Sequence, residues 1–194
     1  MIRAIIFDCF GVLSLDPWYD LTSSLSLDVA CKIQAIHRAF DKGIISYKDF
    51  CNEVNQVNSG ITRDMLDDIF LNRQKRLKNV ALIKDIKLLA NNYKIGILSN
   101  IGSSWISDDF LDSAEMSLFS DMVLSFEVGL AKPDPKIYQL ACKRLDVRPK
   151  EVVYVDDSST YCNQASITGM HAVLYKNYQQ YRTEISLILS SADN

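Results

Sequence analysis

No two cysteines of this chain stand at a C-x-x-C or other metal-ligating spacing. The five, Cys9, Cys31, Cys51, Cys142 and Cys162, are odd in number and spread along the chain, which reads as reduced thiols of a cytoplasmic protein rather than a disulfide framework. The two histidines, His37 and His171, lack a partner at metal or triad spacing and read as structural residues. No charge of one sign dominates: the net charge is -3, and Lys and Arg are scattered apart from the short run Arg73 to Lys78. Nucleic acid and anionic membrane are therefore not expected partners. No apolar stretch approaches a membrane span, and Asp8 interrupts the apolar start before a signal-peptide core could form. There is no internal repeat, low-complexity tract or heptad pattern, and monomer and homodimer both stay open.

What is present begins at once. Ala4 to Phe7 is a continuous apolar run that stops at Asp8, as expected of a strand buried on both faces of a parallel sheet. Asp8 then stands at the carboxyl end of that strand, the edge where open α/β sheets bind ligands. A carboxylate there can serve as nucleophile, metal ligand or turn residue.

The texture then becomes helical. Asp16-Pro17 opens a segment with proline at a first-turn position. Val29, Ile33, Ile36 and Phe40 form a helical stripe that Gly43 ends, and Ser46 and Thr62 read as N-caps of two further helices. Residues 14–78 are thus expected to form an all-helical insert. After it, helices alternate with strands: helix Val80 to Asn91, strand Tyr93 to Leu98, a mixed stretch Trp105 to Phe119, strand Met122 to Leu124, a helix from Asp134-Pro135 to about Leu145, strand Val152 to Val155, helix Asn163 to Gly169, strand Ala172 to Leu174 and helix Tyr178 to Leu189. The alternation predicts βαβ units, an α/β fold with a doubly wound, Rossmann-like parallel sheet. Right-handed crossovers then gather Asp8, Ser99-Asn100 and Asp156-Asp157 on one sheet edge, with Lys132 on a nearby loop. Singly, Ser99 could be a helix cap, Lys132 a solvated lysine and the acidic pair a turn; chance turn chemistry fits the set poorly.

With these residues placed, the chain resembles the haloacid dehalogenase superfamily of hydrolases. The resemblance rests on Ile5-Ile6-Phe7-Asp8, Ile97-Leu98-Ser99-Asn100, the stretch Gly129 to Tyr138 around Lys132, and Val153-Tyr154-Val155-Asp156-Asp157-Ser158. It implies a core of residues 1–13 and 79–194, with 14–78 as a helical cap placed over the active site. It further implies a Mg²⁺-dependent phosphatase of a small phosphorylated substrate. Asp8 is then the nucleophile, and the metal is held by Asp8, the backbone carbonyl of Phe10 and Asp157, with Asp156 acting through water. Ser99 and the Asn100 backbone N–H hold phosphate oxygens near a helix N-terminus, and Lys132 neutralises charge and helps hold Asp8 ionised.

One position departs from the family pattern. Its phosphatases usually carry a second Asp two residues after the nucleophile, as general acid and base; here the residue is Phe10. Asp16, Tyr19 and Asp20 are replacement candidates near the cap. A 2-haloacid dehalogenase, whose leaving halide needs no proton, is the alternative, and a non-catalytic binding protein is a third. Cys9 is expected to be a buried small residue, Trp18, Tyr19 and Trp105 either pocket walls or aromatic core, and Gly11 and Gly129 backbone-conformation residues.

Overall fold

The computed structural model describes residues 1–14, 18, 21–22, 24–41, 44–71 and 78–191. Asp16, Pro17, Tyr19, Asp20, Gly43 and the run Arg73 to Leu77 lie outside the described residues. The chain divides into two compact units, Met1–Leu15 with Leu77–Asn194, and Asp16–Arg76.

The larger unit is built on five parallel strands in the order β3-β2-β1-β4-β5: β1 Ala4–Phe7, β2 Lys94–Ser99, β3 Asp121–Leu124, β4 Val152–Asp156 and β5 His171–Leu174. β1 lies in the middle, with Phe7 beside Ile97 on one flank and Val155 on the other. Its unbroken apolar run follows from this position, because successive side chains enter opposite cores. Ile5 and Phe7 join Ile95, Ile97, Val153, Val155 and Val173 on one face, whereas Ala4 and Ile6 join Leu98, Val123, Val152 and Tyr154 on the other. Helices close both faces, giving the three-layer α/β arrangement.

Counting the longer described helices and two single-turn ones in chain order, the smaller unit holds α1 (Leu27–Asp41), α2 (Tyr47–Val57) and α3 (Arg63–Phe70). The larger unit holds α4 (Val80–Leu89), α5 (Ser113–Met116), α6 (Ser125–Val128), α7 (Pro135–Arg144), α8 (Ser159–Thr168) and α9 (Tyr178–Ser191). The expected caps are in place: Ser46 accepts from the Asp49 N–H, Thr62 from the Met65 N–H and Asp134 from the Lys136 N–H, each satisfying an otherwise orphaned donor.

The smaller unit has its own aromatic core. Trp18, His37, Phe40, Tyr47, Phe50 and Phe70 pack ring on ring, Phe40 and Phe50 stacked 4.9 Å apart. Trp18 is buried here, so its role is packing, and His37 is one of the rings of that core.

One element differs from the sequence expectation. α8 starts at Ser159, four residues before the expected Asn163, because the Cys162 N–H donates to Ser158 O (3.0 Å) and the Ser158 N–H to Asp156 Oδ1 (2.8 Å); a polar Ser-Ser-Thr run hides this anchorage. After β2 the chain does not enter a helix directly. Residues 100–104 are irregular, and a π-helical turn, Ile106–Phe110, follows.

Candidate active site

Four chain segments meet at the carboxyl edge of the larger unit's sheet. β1 delivers Asp8, whose N–H donates to Val155 O (2.9 Å) and so stays in register with β4. β2 ends in Ser99, fully buried, and β4 in Asp156, also fully buried. Lys132 arrives from the loop between α6 and α7 and is buried despite its charge.

Lys132 Nζ stands between two carboxylates, 3.0 Å from Asp8 Oδ1 and 2.7 Å from Asp156 Oδ2. Its ammonium also lies over the Tyr161 ring, 4.8 Å from the centroid, a cation–π geometry. Asp156 is held by three donors: Lys132 and the Tyr154 hydroxyl on Oδ2, and the Ser158 N–H on Oδ1. Asp157 completes the acidic group, and Asp8, Asp156 and Asp157 each bring one carboxylate oxygen within 4.8 Å of the others.

Two carboxylates flank the ammonium and a third, half-buried, lies close to them, so negative charge is in excess and the titration behaviour follows. Burial pushes the Asp8 carboxyl well above the ordinary carboxylate range; Lys132 opposes this, but Asp156 and Asp157 add to it. Burial by itself would depress the Lys132 ammonium, yet Asp156 and Asp8 outweigh it and hold the lysine above its ordinary value. Lys132 pulls Asp8 towards ionisation, the direction expected of it, while desolvation of the buried carboxyl works against it.

Ser99 and Asn100 precede the π-helical turn Ile106–Phe110 by an irregular segment and are not themselves its cap. The irregular segment is pinned by Ser125, whose Oγ accepts from the Ile101 N–H (2.8 Å) and donates to Ile101 O (2.9 Å). Ser99 Oγ is buried and has no hydrogen-bond partner within the protein, an arrangement that normally costs about 1–3 kcal/mol. A hydroxyl left so at the carboxyl end of a strand is suited to bind an anion's oxygen.

Gly11 has φ +74°, and a β-carbon on it would lie 2.1 Å from Asp157 Oδ2. Gly129 has φ +66° at the end of α6. Both glycines serve conformation, and Gly11 also makes room for a carboxylate. Phe10 stacks on Trp105, rings 5.8 Å apart and 10° from parallel; Trp105 is in turn buried against Phe110. Cys9 is wholly buried in the core.

The structure therefore brings together Asp8, Lys132, Asp156 and Asp157. It also brings in Tyr154 and Tyr161, and gives Asn100 a side-chain contact beside the backbone role expected of it. Tyr154 holds Asp156, Tyr161 underlies Lys132, and the Asn100 carboxamide binds the Lys132 backbone, accepting from its N–H at 2.8 Å and donating to its carbonyl at 3.0 Å. Tyr154 was findable, since residues two apart on a strand share a face. Nothing local in the sequence marks Asn100 or Tyr161 for these contacts.

Residues 2–160 match the family of haloacid dehalogenase-like hydrolases. Phosphatase MT3486 of Mycobacterium tuberculosis is 24% identical over 208 residues, covering 98% of this chain and 94% of that protein. (S)-2-haloacid dehalogenase 1 of Pseudomonas sp. (strain CBS-3) is 36% identical over 87 residues, 44% of this chain and 38% of that one. The chain spans between 18% and 38% of the length of several such curated relatives. A Bacteroides thetaiotaomicron enzyme of the same family, solved in complex with magnesium and inorganic phosphate, superposes with a TM-score of 0.61 at 20% identity, over 91% of this chain and 95% of that one. Among the described residues no helix is long and apolar enough to cross a membrane.

Proposed function

The chain belongs to the haloacid dehalogenase-like hydrolase family, and on that premise we propose that it is a Mg²⁺-dependent phosphatase of a small phosphorylated metabolite. The observation that carries this reading is the surplus of acid: three carboxylates within 4.8 Å of one another against a single lysine. Hard oxygen donors in such a cluster fit a divalent cation that prefers oxygen and keeps several waters. The unpartnered, buried Ser99 Oγ fits a phosphate oxygen. Asp8, Asp157 and the backbone carbonyl of Phe10 would hold Mg²⁺, which supplies the positive charge that lets one anion approach another.

The remaining chemistry belongs to the protein. A carboxylate oxygen of Asp8 attacks phosphorus, the bond from phosphorus to the leaving oxygen breaks, and water hydrolyses the resulting aspartyl-phosphate to restore Asp8. Lys132 and Ser99 hold the oxygens of the transferring group, assisted by the Asn100 backbone N–H. Asp156 is already claimed by Lys132, Tyr154 and the Ser158 N–H, which suits it to an indirect role at the metal. The helical segment 14–78 would act as the cap that selects the substrate.

Phe10 stands where a general acid is usual, and its ring is engaged with Trp105. Substrates whose leaving group barely needs a proton, acyl phosphates and sugar 1-phosphates, therefore suit the site. The relative of known phosphatase name, matched over nearly its whole length, supports the reading. A panel including acetyl phosphate, run with and without Mg²⁺ on the wild type and Asp8→Asn, tests it. Phosphate release that needs both Mg²⁺ and Asp8 is expected; no release from any substrate overturns it.

The aromatic Phe10 and the similarity to a haloacid dehalogenase favour a second reading, 2-haloacid hydrolysis. Halide release from chloroacetate that persists in EDTA would establish that one instead.

A further inference from the structure

We propose that the Asn100 side chain positions Lys132, a role separate from the contact of its backbone N–H with phosphate; the inference rests on the phosphatase reading above. Lysine is a flexible side chain that loses much rotamer freedom when its ammonium must stand at one point. Here that point is set to within hydrogen-bond distance of both Asp8 and Asp156. The two carboxylates hold only the head of the side chain. Its root lies in the irregular loop between α6 and α7, where no helix or strand fixes the backbone.

The Asn100 carboxamide supplies the missing constraint. Its Oδ1 accepts from the Lys132 N–H and its Nδ2 donates to the carbonyl of the same residue, so both polar groups of Lys132's backbone are gripped, as a neighbouring strand would grip them. Only an amide side chain offers donor and acceptor at that spacing; Asp would set a carboxylate against the Lys132 carbonyl, and Ser is too short. Nδ2 also lies 3.5 Å from the Tyr161 hydroxyl, and the Tyr161 ring underlies Lys132 Nζ. Lysine backbone and ammonium are thereby fixed by connected groups from segments far apart in sequence.

A double-mutant cycle tests this, with Asn100→Ala and Lys132→Ala singly and together. The readout is the affinity for orthovanadate in the presence of Mg²⁺, a measurement that needs no turnover. Asn100→Ala should weaken vanadate binding about tenfold in the wild type and less than twofold in the Lys132→Ala background, since groups that act as a unit are not additive. Asn100→Asp, nearly isosteric, should match or exceed the loss from alanine. Amide exchange at Lys132 should accelerate in Asn100→Ala while the melting temperature stays within about 4 °C. If the wild type binds vanadate and Asn100→Ala costs the same factor in both backgrounds, the inference is wrong and the phosphatase reading survives. If the wild type binds no vanadate, the phosphatase reading falls and takes this inference with it.

Discussion

The Asp157 carboxylate fills the place that a side chain on Gly11 would need: a β-carbon there would sit 2.1 Å from Asp157 Oδ2, at a backbone φ of +74°. Side chains are strained at such φ values, by about 1–2 kcal/mol for an L-residue. Gly11→Ala should therefore lose activity out of proportion to stability, because Asp157 must move. Gly129→Ala is the matched control, since it has φ +66° and nothing within 4 Å of the added carbon. Both variants should drop the melting temperature by about 2–8 °C, but only Gly11→Ala should weaken Mg²⁺ binding, by about tenfold or more. Isothermal calorimetry and thermal melts read the two effects separately, and equal Mg²⁺ affinities would contradict the expectation.

Asp8→Asn should abolish phosphate release yet make the metal-free protein more heat-stable at neutral pH. Burial raises the folded-state pKa of Asp8 above its ordinary 3.8. The contribution of such a group to stability is present below that ordinary value and is lost as pH rises through the folded one. The variant's advantage should thus be small below pH 3.8 and widen above it. Added Mg²⁺ should reverse the ranking by stabilising the wild type alone. Melting curves across pH, with EDTA or Mg²⁺, check both halves.

Phe10→Asp places a carboxyl where the family's proton donor usually stands, and removes a ring stacked on Trp105. The lost packing should cost about 1–3 kcal/mol of stability. Turnover of an alkyl phosphate, relative to acetyl phosphate, should rise about tenfold or more, within the range of general acid catalysis. An unchanged ratio would mean that protonation of the leaving group does not limit the rate.

Glu151, just before β4, is held as a carboxylate by its neighbours. Hydrogen bonds from the Arg148 side chain and N–H hold its carboxyl down to about 2, from an ordinary 4.5. A depressed carboxylate stabilises the fold above its ordinary pKa and loses that effect as pH falls through the lowered one. Glu151→Gln should accordingly melt earlier than wild type above pH 4.5, with the gap closing towards pH 2. A gap independent of pH would assign the loss to packing instead of charge.

Much of this was open to reading in one dimension, for a local reason. Apolar runs, caps such as Ser46, Thr62 and Asp134, and the alternation of helix with strand depend on neighbours a few residues away. In a parallel sheet that alternation alone sends strand ends to one edge, so Asp8, Ser99 and Asp156 had to arrive near one another. Even so, the polar start of α8 at Ser159 was hidden, since it is secured by Asp156 and not by its own pattern.

The amino-acid order by itself thus determined the α/β fold and the chemical types at the strand ends, because periodicity and capping act over a single turn or pleat. Only tertiary packing decided that Lys132 would stand between Asp8 and Asp156, that Asn100 would hold the Lys132 backbone, and that Phe10 would stack on Trp105. Contacts of that kind join residues 24 to 124 positions apart. They depend on loop paths that no periodicity encodes and that the burial of both sheet faces brings to one place.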